Sequence, residues 1–294
     1  MKTSVVSVYD LDHNQGRIVD QDLEVFDAEA YSRFKYGDAN AARQYAGELC
    51  TAMLVHLDEI DPIDELVVTS SAFKTVPTAA YAIKEAFVPI LGAARPDLHI
   101  VNLKIDREVV RDTDYSNMTL EERQRASRSN GLSIPAELHE SLEGSTLLAI
   151  DDIRITGSHE EALSDLLGAH EIGHTIFGYV AVLDAEIAEA YPQTEFDLNH
   201  AVVKGLGDVI DIIRSGQFML NARTCKFLLS QEPDKLCEVL EYVDNSTLSE
   251  IWTAMLDDGY SHMPQFAAQF ERLQNVLFER ARPTPAELST TVRD

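Results

Sequence analysis

The sequence predicts an α/β fold: a mostly parallel sheet flanked by helices, followed by an all-helical C-terminal extension. Two observations predict this fold. Up to about residue 184, short strands that are apolar on both faces alternate with helices, which is typical of a parallel sheet covered on both sides. After residue 184, apolar residues recur only with the 3.6-residue period of helices. We therefore expect an α/β domain at residues 1–184 and a helical extension or second domain at residues 185–294.

The first half of the α/β region begins with a predicted hairpin and a supporting helix. The segments VVSVYD and RIVD, separated by HNQG, have the pattern of two strands joined by a turn. Apolar residues at helical spacing predict a helix from Asp38 to Leu57. The alternation of the sheet then starts with a strand at 65–70, a helix at 78–91 and a second strand at 98–105.

The second half of the α/β region continues the alternation. We expect helices near 118–128 and near 135–141, and then a third strand at 146–150. A helix at 159–167 and a fourth strand at 176–184 follow it. Each strand contains a short run of apolar, often β-branched residues, as buried strands do.

The composition is that of a globular protein with a large excess of acidic residues. Of the 294 residues, 45% are hydrophobic and 25% are charged, and 24 Lys and Arg face 50 Asp and Glu, for a net charge of −26. Such a chain is a poor ligand for nucleic acid or an anionic membrane, and we expect neither as a partner. The one stretch without net acidity is 104–128, where acidic and basic residues are equal in number.

The cysteines and the apolar runs predict a cytoplasmic protein. Cys50, Cys225 and Cys237 are widely spaced, without a C-x-x-C pair, so we expect free thiols in a reducing compartment. Acidic residues interrupt the apolar N-terminal stretch, which does not fit a signal peptide. The longest apolar run, 176–183, is too short to cross a bilayer.

Two adjacent acids follow the third predicted strand. Asp151 and Asp152 come directly after the apolar run LLAI. In a parallel sheet, ligands bind at the carboxyl ends of the strands. Two carboxylates at that place can accept hydrogen bonds from vicinal hydroxyls, directly or through a bound Mg²⁺. We therefore expect this pair to bind the diol of a sugar.

A small-residue turn lies between these acids and the next predicted helix. It consists of Thr156, Gly157, Ser158 and His159. Hydroxyl groups and unpaired backbone amides at the positive end of a helix dipole form a phosphate site. Together, the acids and the turn predict a sugar-phosphate site.

The segment LLAIDDIRITGSH resembles the motif that binds 5-phosphoribosyl 1-pyrophosphate (PRPP) in type I phosphoribosyltransferases. That motif has four apolar residues, two acids, two apolar residues and a Thr-Gly-x-Thr turn. Arg154 stands where the family usually has an apolar residue, and His159 stands where a Thr or Ser usually closes the turn. The resemblance implies that the turn binds the 5-phosphate of PRPP and that Asp151 and Asp152 bind its ribose hydroxyls with Mg²⁺.

A second segment resembles the pyrophosphate loop of orotate phosphoribosyltransferases. SSAFKTVP, between the first sheet strand and its helix, is similar to their Ala-Tyr-Lys-Gly-Ile-Pro loop. Ala72, Phe73 and Lys74 stand in matching places, and Thr75 replaces the usual Gly. A lysine at the start of a strand-to-helix turn is suited to bind pyrophosphate.

The basic residues of the neutral stretch complete the expected site. The resemblance implies that Arg107, at the end of the second strand, contacts pyrophosphate. It also implies a flexible catalytic loop in DYSNMTLEERQRASRSNG, with Arg123 and Arg125 available for the substrate. We expect Asp151, Asp152, Lys74 and Arg107 to act in catalysis. This places the least acidic part of the chain against a highly charged substrate.

The whole chain resembles the ComF-like phosphoribosyltransferases encoded beside bacterial tellurium-resistance genes. This resemblance implies a cytoplasmic enzyme that transfers the phosphoribosyl group of Mg²⁺-PRPP to a nitrogenous base or related acceptor and releases pyrophosphate. It also implies a role in making a nucleotide-like metabolite during a stress response. The expected partners are small-molecule substrates, and a homodimer is left open.

Two alternative functions stay open at this stage. Thr75, Arg154 and His159 depart from the family patterns, and they favour a regulator that binds PRPP or a nucleotide without catalysis. His170 and His174, with Glu171, match H-E-x-x-H, the zinc-binding pattern of metalloproteases when it lies on a helix. A helix-ending Leu-Gly precedes this pattern, so we expect a loop there.

Overall fold

A six-stranded sheet forms the centre of the computed structural model, which describes residues 2–108, 131–168 and 170–281. A separate ribbon pairs two further short strands. In chain order the strands are β1 (Lys2–Asn14), β2 (Arg17–Val19), β3 (Glu65–Ser70), β4 (His99–Asn102), β5 (Asp106–Arg107), β6 (Leu132–Ser133), β7 (Thr146–Arg154) and β8 (His174–Leu183). The six-stranded sheet has the order β2-β1-β8-β7-β3-β4, and only the β1–β2 pair in it is antiparallel. The ribbon pairs β5 with β6.

Helices precede, separate and follow these strands. They are α1 (Ala28–Lys35), α2 (Ala39–Glu59), α3 (Ala79–Ala94), α4 (Ser158–Leu167), α5 (Ala185–Ala190), α6 (Thr194–Asn199), α7 (Leu206–Arg214), α8 (Ala222–Leu229), α9 (Pro233–Leu240), α10 (Asn245–Asp257) and α11 (Ala267–Ala281). Several begin at an acidic or amide side chain that accepts a hydrogen bond from the first turn, as Asp38 does for α2. Within the described ranges, no helix has the length and apolar character needed to cross a membrane.

The sheet is buried on both faces. On one face, α2 and α3 pack side chains such as Leu49 and Phe87 against Leu148 and Val180. On the other face, α4 and the loop before β7 cover Leu147 and its neighbours. Because the strands have apolar side chains on both faces, burying them supplies the main driving force for folding of this part of the chain.

A second hydrophobic core lies in the C-terminal helices α7 to α11, which we call the helical unit (residues 203–281). Tyr36 and Val76 of the α/β part belong to this core. Backbone hydrogen bonds also join the two parts: the amide of Met219 donates to Gly37 and the amide of Ala222 donates to Pro77, both at 2.8 Å. The helical unit is therefore packed against the loops that follow α1 and β3.

The predicted fold class is confirmed: the sheet is mostly parallel, helices flank it, and the regular elements of the described residues after 184 are helical. The structure corrects three details. The N-terminal strand pairs in parallel with β8 and so belongs to the main sheet, rather than to a hairpin alone. In place of the helix expected near 135–141 there are two short 3₁₀ turns. A separate short helix, α1, precedes the helix predicted from Asp38 to Leu57. The helix expected near 118–128 lies outside the described residues.

The third predicted strand is longer than expected, and this changes the setting of the acids. β7 continues past 150 to Arg154, and it pairs with β8 through Asp151 and Ile153. Its other neighbour, β3, ends opposite Ile150. The two acids therefore lie within a strand that is paired on one side only, at the edge where a cleft opens. The predicted domain boundary at 184/185 stays a prediction, although Leu198 of α6 packs with the sheet core.

Candidate active site

A cleft of about 220 Å³ opens at the carboxyl ends of β3 and β7. Four parts of the chain line it: the end of α1, the loop after β3, the segment from the end of β7 to the start of α4, and the helical unit. Arg107 of the β5–β6 ribbon, the start of α3, Tyr179 of β8 and Glu195 of α6 also contribute to the wall. This is the edge at which parallel sheets bind ligands, and the helical unit closes its far side.

The cleft is positive although the chain is strongly acidic. Six of the 24 Lys and Arg residues line it, against four of the 50 Asp and Glu. The basic residues are Lys35, Lys74, Arg107, Arg154, Arg223 and Lys226, and the acidic ones are Asp151, Asp152, Glu195 and Asp258. Such a cleft attracts a polyanion that the rest of the surface repels.

Asp151 is held as a carboxylate by three neighbouring groups. Its Oδ1 accepts hydrogen bonds from Ser71 Oγ at 2.8 Å and from the amide of Asp152 at 2.9 Å, and its Oδ2 lies 2.6 Å from Nδ1 of His159. Burial opposes the charge, yet the attraction of His159 and these hydrogen bonds hold the pKa of Asp151 well below its usual range. In return, Asp151 raises the pKa of His159 in spite of desolvation, so the pairing favours the protonated imidazole.

This ion pair predicts a pH dependence of stability. Because the folded-state pKa of His159 lies above its usual 6.5, its contribution is complete below that value and is lost as the pH rises through the folded-state pKa. The His159 side chain is 45% exposed, so solvent screening limits the change to under about 1 kcal/mol. We expect urea denaturation between pH 6 and 9 to show a decline for the wild type that His159→Gln lacks. Equal pH slopes for the two proteins would contradict the pairing.

Asp152 is paired differently. Its Oδ2 contacts Nζ of Lys35 and accepts a hydrogen bond from Tyr31 at 3.1 Å, and all three residues are buried. Burial raises the pKa of Asp152, Lys35 opposes this rise, and the neighbouring Asp151 adds to it. The two adjacent carboxyls therefore have pKa values shifted in opposite directions, which is common where acids have separate roles.

The turn after β7 is built to present helix amides to the cleft. Gly157 precedes α4 with φ +72°, a left-handed conformation that glycine adopts without strain. Arg154, the departure from the family pattern, forms an ion pair with Glu160 at 2.6 Å, and Tyr179 donates to the same carboxylate at 3.0 Å. The N-terminus of α4 remains next to Asp151, which suits it to bind a phosphate group.

The loop after β3 is held by groups on both sides. Nζ of Lys104 donates to the carbonyl of Lys74 at 2.7 Å and lies 4.7 Å from the centre of the Phe73 ring. On the other side, Nζ of Lys74 donates to the carbonyl of Asp257 in the helical unit at 2.6 Å. The loop thus bridges the α/β part and the helical unit.

A family comparison identifies the chain. A family model described as "PRTase ComF-like" matches residues 5–273, which is most of the sequence. The chain belongs to this family. A comparison with curated proteins finds no match.

Solved structures that this member of the ComF-like family resembles are distant in sequence. A hypoxanthine phosphoribosyltransferase from Staphylococcus aureus is 14% identical, over 48% of this chain and 64% of that one, with a TM-score of 0.32. A hypoxanthine-guanine phosphoribosyltransferase from Bacillus anthracis is 14% identical, over 51% of this chain and 71% of that one, with a TM-score of 0.30. An adenine phosphoribosyltransferase is 20% identical, over 49% of this chain and 74% of that one, with a TM-score of 0.30. The chain thus spans less than two thirds of the length of the first of these proteins.

Most of the residues predicted for the site of this ComF-like protein line the cleft. The structure brings together Asp151, Asp152, Lys74, Arg107, Ala72, Phe73, Thr156, Gly157 and His159. Thr75 lies next to the cleft with its side chain exposed, and Ser158 is the first residue of α4. Arg123 and Arg125, expected in a flexible loop, lie outside the described residues.

The H-E-x-x-H pattern does not have the geometry of a zinc site. The residues between α4 and β8 are not helical where the structure describes them, so the pattern does not place two histidines on one helix face. His174 begins β8 and is hydrogen-bonded to Ser4 Oγ at 2.9 Å, and His170 stacks edge-on against His139. Among residues 2–108, 131–168 and 170–281, no three His, Cys, Asp or Glu are grouped to hold a metal ion.

Sequence reasoning missed the residues that distant segments bring to the cleft of this ComF-like protein. Lys35 and Tyr31 come from α1, and Glu195, Arg223 and Asp258 come from the C-terminal helices. A lysine between two aromatic residues, as in Phe34-Lys35-Tyr36, is a weak signal that could have marked Lys35, because a charge in such a run needs a partner when it is buried. The other residues lie in segments whose sequence pattern is that of ordinary helices, and this pattern does not mark them as site residues.

Proposed function

We propose that the protein is a phosphoribosyltransferase that uses Mg²⁺-PRPP, transfers its phosphoribosyl group to a nitrogenous base or related acceptor, and releases pyrophosphate. The observation that carries this proposal is the grouping of two acids, a helix N-terminus and a basic loop around one positive cleft. These parts match the diol, the 5-phosphate and the pyrophosphate of PRPP. Membership of the ComF-like family supports phosphoribosyl transfer in general.

The proposed binding mode follows the order of these groups. The 5-phosphate accepts hydrogen bonds at the turn of Thr156 and Gly157, where α4 begins. The ribose hydroxyls donate to Asp151 and Asp152. Pyrophosphate lies against the loop of Lys74 and against Arg107. The acceptor then lies on the side of the cleft that the helical unit lines.

Magnesium fits this arrangement when the substrate brings it. Carboxylate oxygens are ligands that Mg²⁺ accepts, and Asp151 and Asp152 supply them in the cleft. Because both carboxylates also hold cationic partners, the pair is a partial ligand set that a phosphate-bound metal would complete. The metal would neutralise charge on the leaving pyrophosphate.

The chemistry that we propose depends mainly on charge and on exclusion of water. The bond between the anomeric carbon and pyrophosphate breaks as an acceptor nitrogen attacks, and positive charge develops on the ribosyl group. Asp151 and Asp152 stabilise that charge through the ribose hydroxyls, while Lys74 and Arg107 neutralise the leaving group. The helical unit covers the far side of the cleft and restricts water.

The proposal is tested by calorimetry with PRPP and Mg²⁺, followed by a screen of nitrogenous acceptors for pyrophosphate release. We expect saturable binding of PRPP that depends on Mg²⁺, and release of pyrophosphate with at least one acceptor. If PRPP does not bind at millimolar concentration, the proposed function is wrong.

Two substitutions should abolish PRPP-dependent turnover. Asp152→Asn removes a carboxylate that would bind the ribose, and Lys74→Ala removes a cation that would bind the leaving group. We expect each to lower the rate of pyrophosphate release by about 100-fold or more, as loss of a transition-state contact does. Asp165→Asn and Lys235→Ala, at exposed helix positions, are the matched controls and should leave the rate unchanged. Wild-type rates in both site variants would overturn the assignment.

A non-catalytic regulator that binds PRPP or a nucleotide is the second candidate. It is favoured by the internal pairing of both acids, Asp151 with His159 and Asp152 with Lys35. Those cations occupy oxygens that ribose hydroxyls would otherwise use. Saturable PRPP binding without pyrophosphate release from any acceptor would favour this candidate over the transferase.

We also propose a wider biological setting. A cytoplasmic location rests on the composition, and a stress-response role rests on the resemblance to proteins encoded beside tellurium-resistance genes. A homodimer is likewise a proposal, which sedimentation of the purified protein would test.

A further inference from the structure

A carboxylate of the helical unit occupies backbone donors of the loop after β3. Asp258, at the C-terminal end of α10, is only 5% exposed. Its Oδ1 accepts a hydrogen bond from the amide of Thr75 at 2.8 Å, and its Oδ2 accepts one from the amide of Val76 at 3.0 Å. Two successive amides that point at one carboxylate form a small anion-binding nest.

The same end of α10 also holds the lysine of this loop. Nζ of Lys74 donates to the carbonyl of Asp257 at 2.6 Å, one residue before the carboxylate. The loop therefore directs two amides and one ammonium group to α10. These are the kinds of donors that a pyrophosphate oxygen would use at this place.

A phosphate group and the Asp258 carboxylate cannot share these donors. Each amide N–H is directed at a carboxylate oxygen about 3 Å away, and an added anion would lie in contact with a like charge. Such contacts are strongly repulsive in a partly buried cleft. Burial also raises the pKa of Asp258 against the lowering effect of the two amides. This direction indicates that the loss of hydration of the charged carboxylate outweighs what the two amide hydrogen bonds return.

We propose that Asp258 is an internal anionic ligand of the loop at residues 71–77 and competes there with the pyrophosphate group of the substrate. The helical unit thereby inhibits the site until Asp258 leaves the loop amides. This inference rests on the proposed function, because it takes the loop as the pyrophosphate subsite. It adds a role for the helical unit, which supplies the competing carboxylate.

The test is calorimetric titration of inorganic pyrophosphate with Mg²⁺ into the full-length protein and two variants. Asp258→Asn removes the competing charge, and we expect it to bind pyrophosphate about tenfold more tightly than the wild type, since a charge-assisted hydrogen bond is of that order. Glu250→Gln removes one charge from an exposed position of the same helix, so it should bind like the wild type. Equal or weaker binding by Asp258→Asn would overturn the proposal.

A second measurement needs no variant. Amide hydrogen exchange of the wild type, with and without saturating Mg²⁺-pyrophosphate, should show faster exchange in residues 245–262 when the anion is present. Unchanged or slower exchange in residues 245–262 would overturn the proposal. Because this measurement uses the wild type alone, it tests the proposal even if the Asp258→Asn variant does not fold.

The outcomes separate this inference from the proposed function. Tighter pyrophosphate binding by Asp258→Asn, in a protein that releases no pyrophosphate from PRPP, would support the competition and disprove the transferase. Conversely, PRPP-dependent turnover by a wild type whose pyrophosphate affinity is not increased by Asp258→Asn would support the transferase and disprove the competition.

Discussion

A Lys35→Met variant is expected to lose about 3 kcal/mol of unfolding free energy at pH 7, because removing one member of a buried ion pair leaves an uncompensated charge. Lys35 and Asp152 are 9% and 7% exposed, and they are in direct contact. Without Lys35, the Asp152 carboxylate would be buried beside Asp151 and would lose the cation that contacts it, although Tyr31 would still donate to it. Urea denaturation of the two proteins measures the difference.

The pH dependence and a double variant distinguish this cause from loss of packing. Burial already raises the pKa of Asp152 above its usual range, so the contribution of this group to stability is lost as the pH rises through the folded-state pKa. The deficit of Lys35→Met should therefore shrink as the pH falls. Lys35→Met with Asp152→Asn should recover most of the loss, because a neutral amide replaces the unpaired charge.

The control for this experiment is Lys235→Met. Lys235 is exposed in α9, so its loss should change the unfolding free energy by less than about 0.5 kcal/mol. A Lys35→Met protein as stable as the wild type at pH 7 would show that Asp152 does not need its cationic partner.

The strands and the core of the site could be predicted because their signals are local. The run at 176–183 is apolar at nearly every position, and the strand at 65–70 contains the shorter apolar run Leu66–Val68; only a strand buried on both faces requires such runs in so short a segment. The acids and the phosphate turn occupy nine consecutive residues from Asp151 to His159, so one strand and one helix start fix their arrangement. At this site, residues that are close in the sequence are therefore also close in space.

The partners of these acids could not be predicted because they depend on tertiary contacts. Lys35 lies 117 residues from Asp152 along the chain, and Asp258 lies 182 residues from Val76. No sequence periodicity or motif spacing links positions so far apart. Taken by its local sequence, each is an ordinary residue within a helix or at a helix end. The zinc alternative for H-E-x-x-H has no support in the structure: its spacing is local, but it needs a helix, and the described residues between α4 and β8 are not helical, in line with the expected loop.

A Gly37→Ala variant is expected to lose about 3 kcal/mol or more, from left-handed backbone strain of about 1–2 kcal/mol and a steric clash. Gly37 has φ +98°, which L-residues with a side chain rarely adopt. A Cβ there would overlap the carbonyl oxygen of Met219 and lie 2.8 Å from the ring of Phe218. Equilibrium denaturation measures the loss.

The site of this substitution makes it a test of how the helical unit is held. The carbonyl of Gly37 accepts the amide of Met219 at 2.8 Å, and the next residue, Asp38, forms a β-bridge with Phe218. A Cβ that pushes this contact apart should loosen residues 203–281, and limited proteolysis should then cut within them faster than in the wild type.

Gly47→Ala is the matched control for this substitution. Gly47 lies inside α2 and has open space around its Cβ position, so alanine should stabilise the protein by up to about 1 kcal/mol. If Gly37→Ala were as stable as Gly47→Ala, the contact between residues 37 and 219 would not hold the helical unit. In that case, the position of Asp258 on the loop after β3 would depend on other contacts, which include its own hydrogen bonds with Thr75 and Val76, the Lys74–Asp257 contact and the Ala222–Pro77 contact.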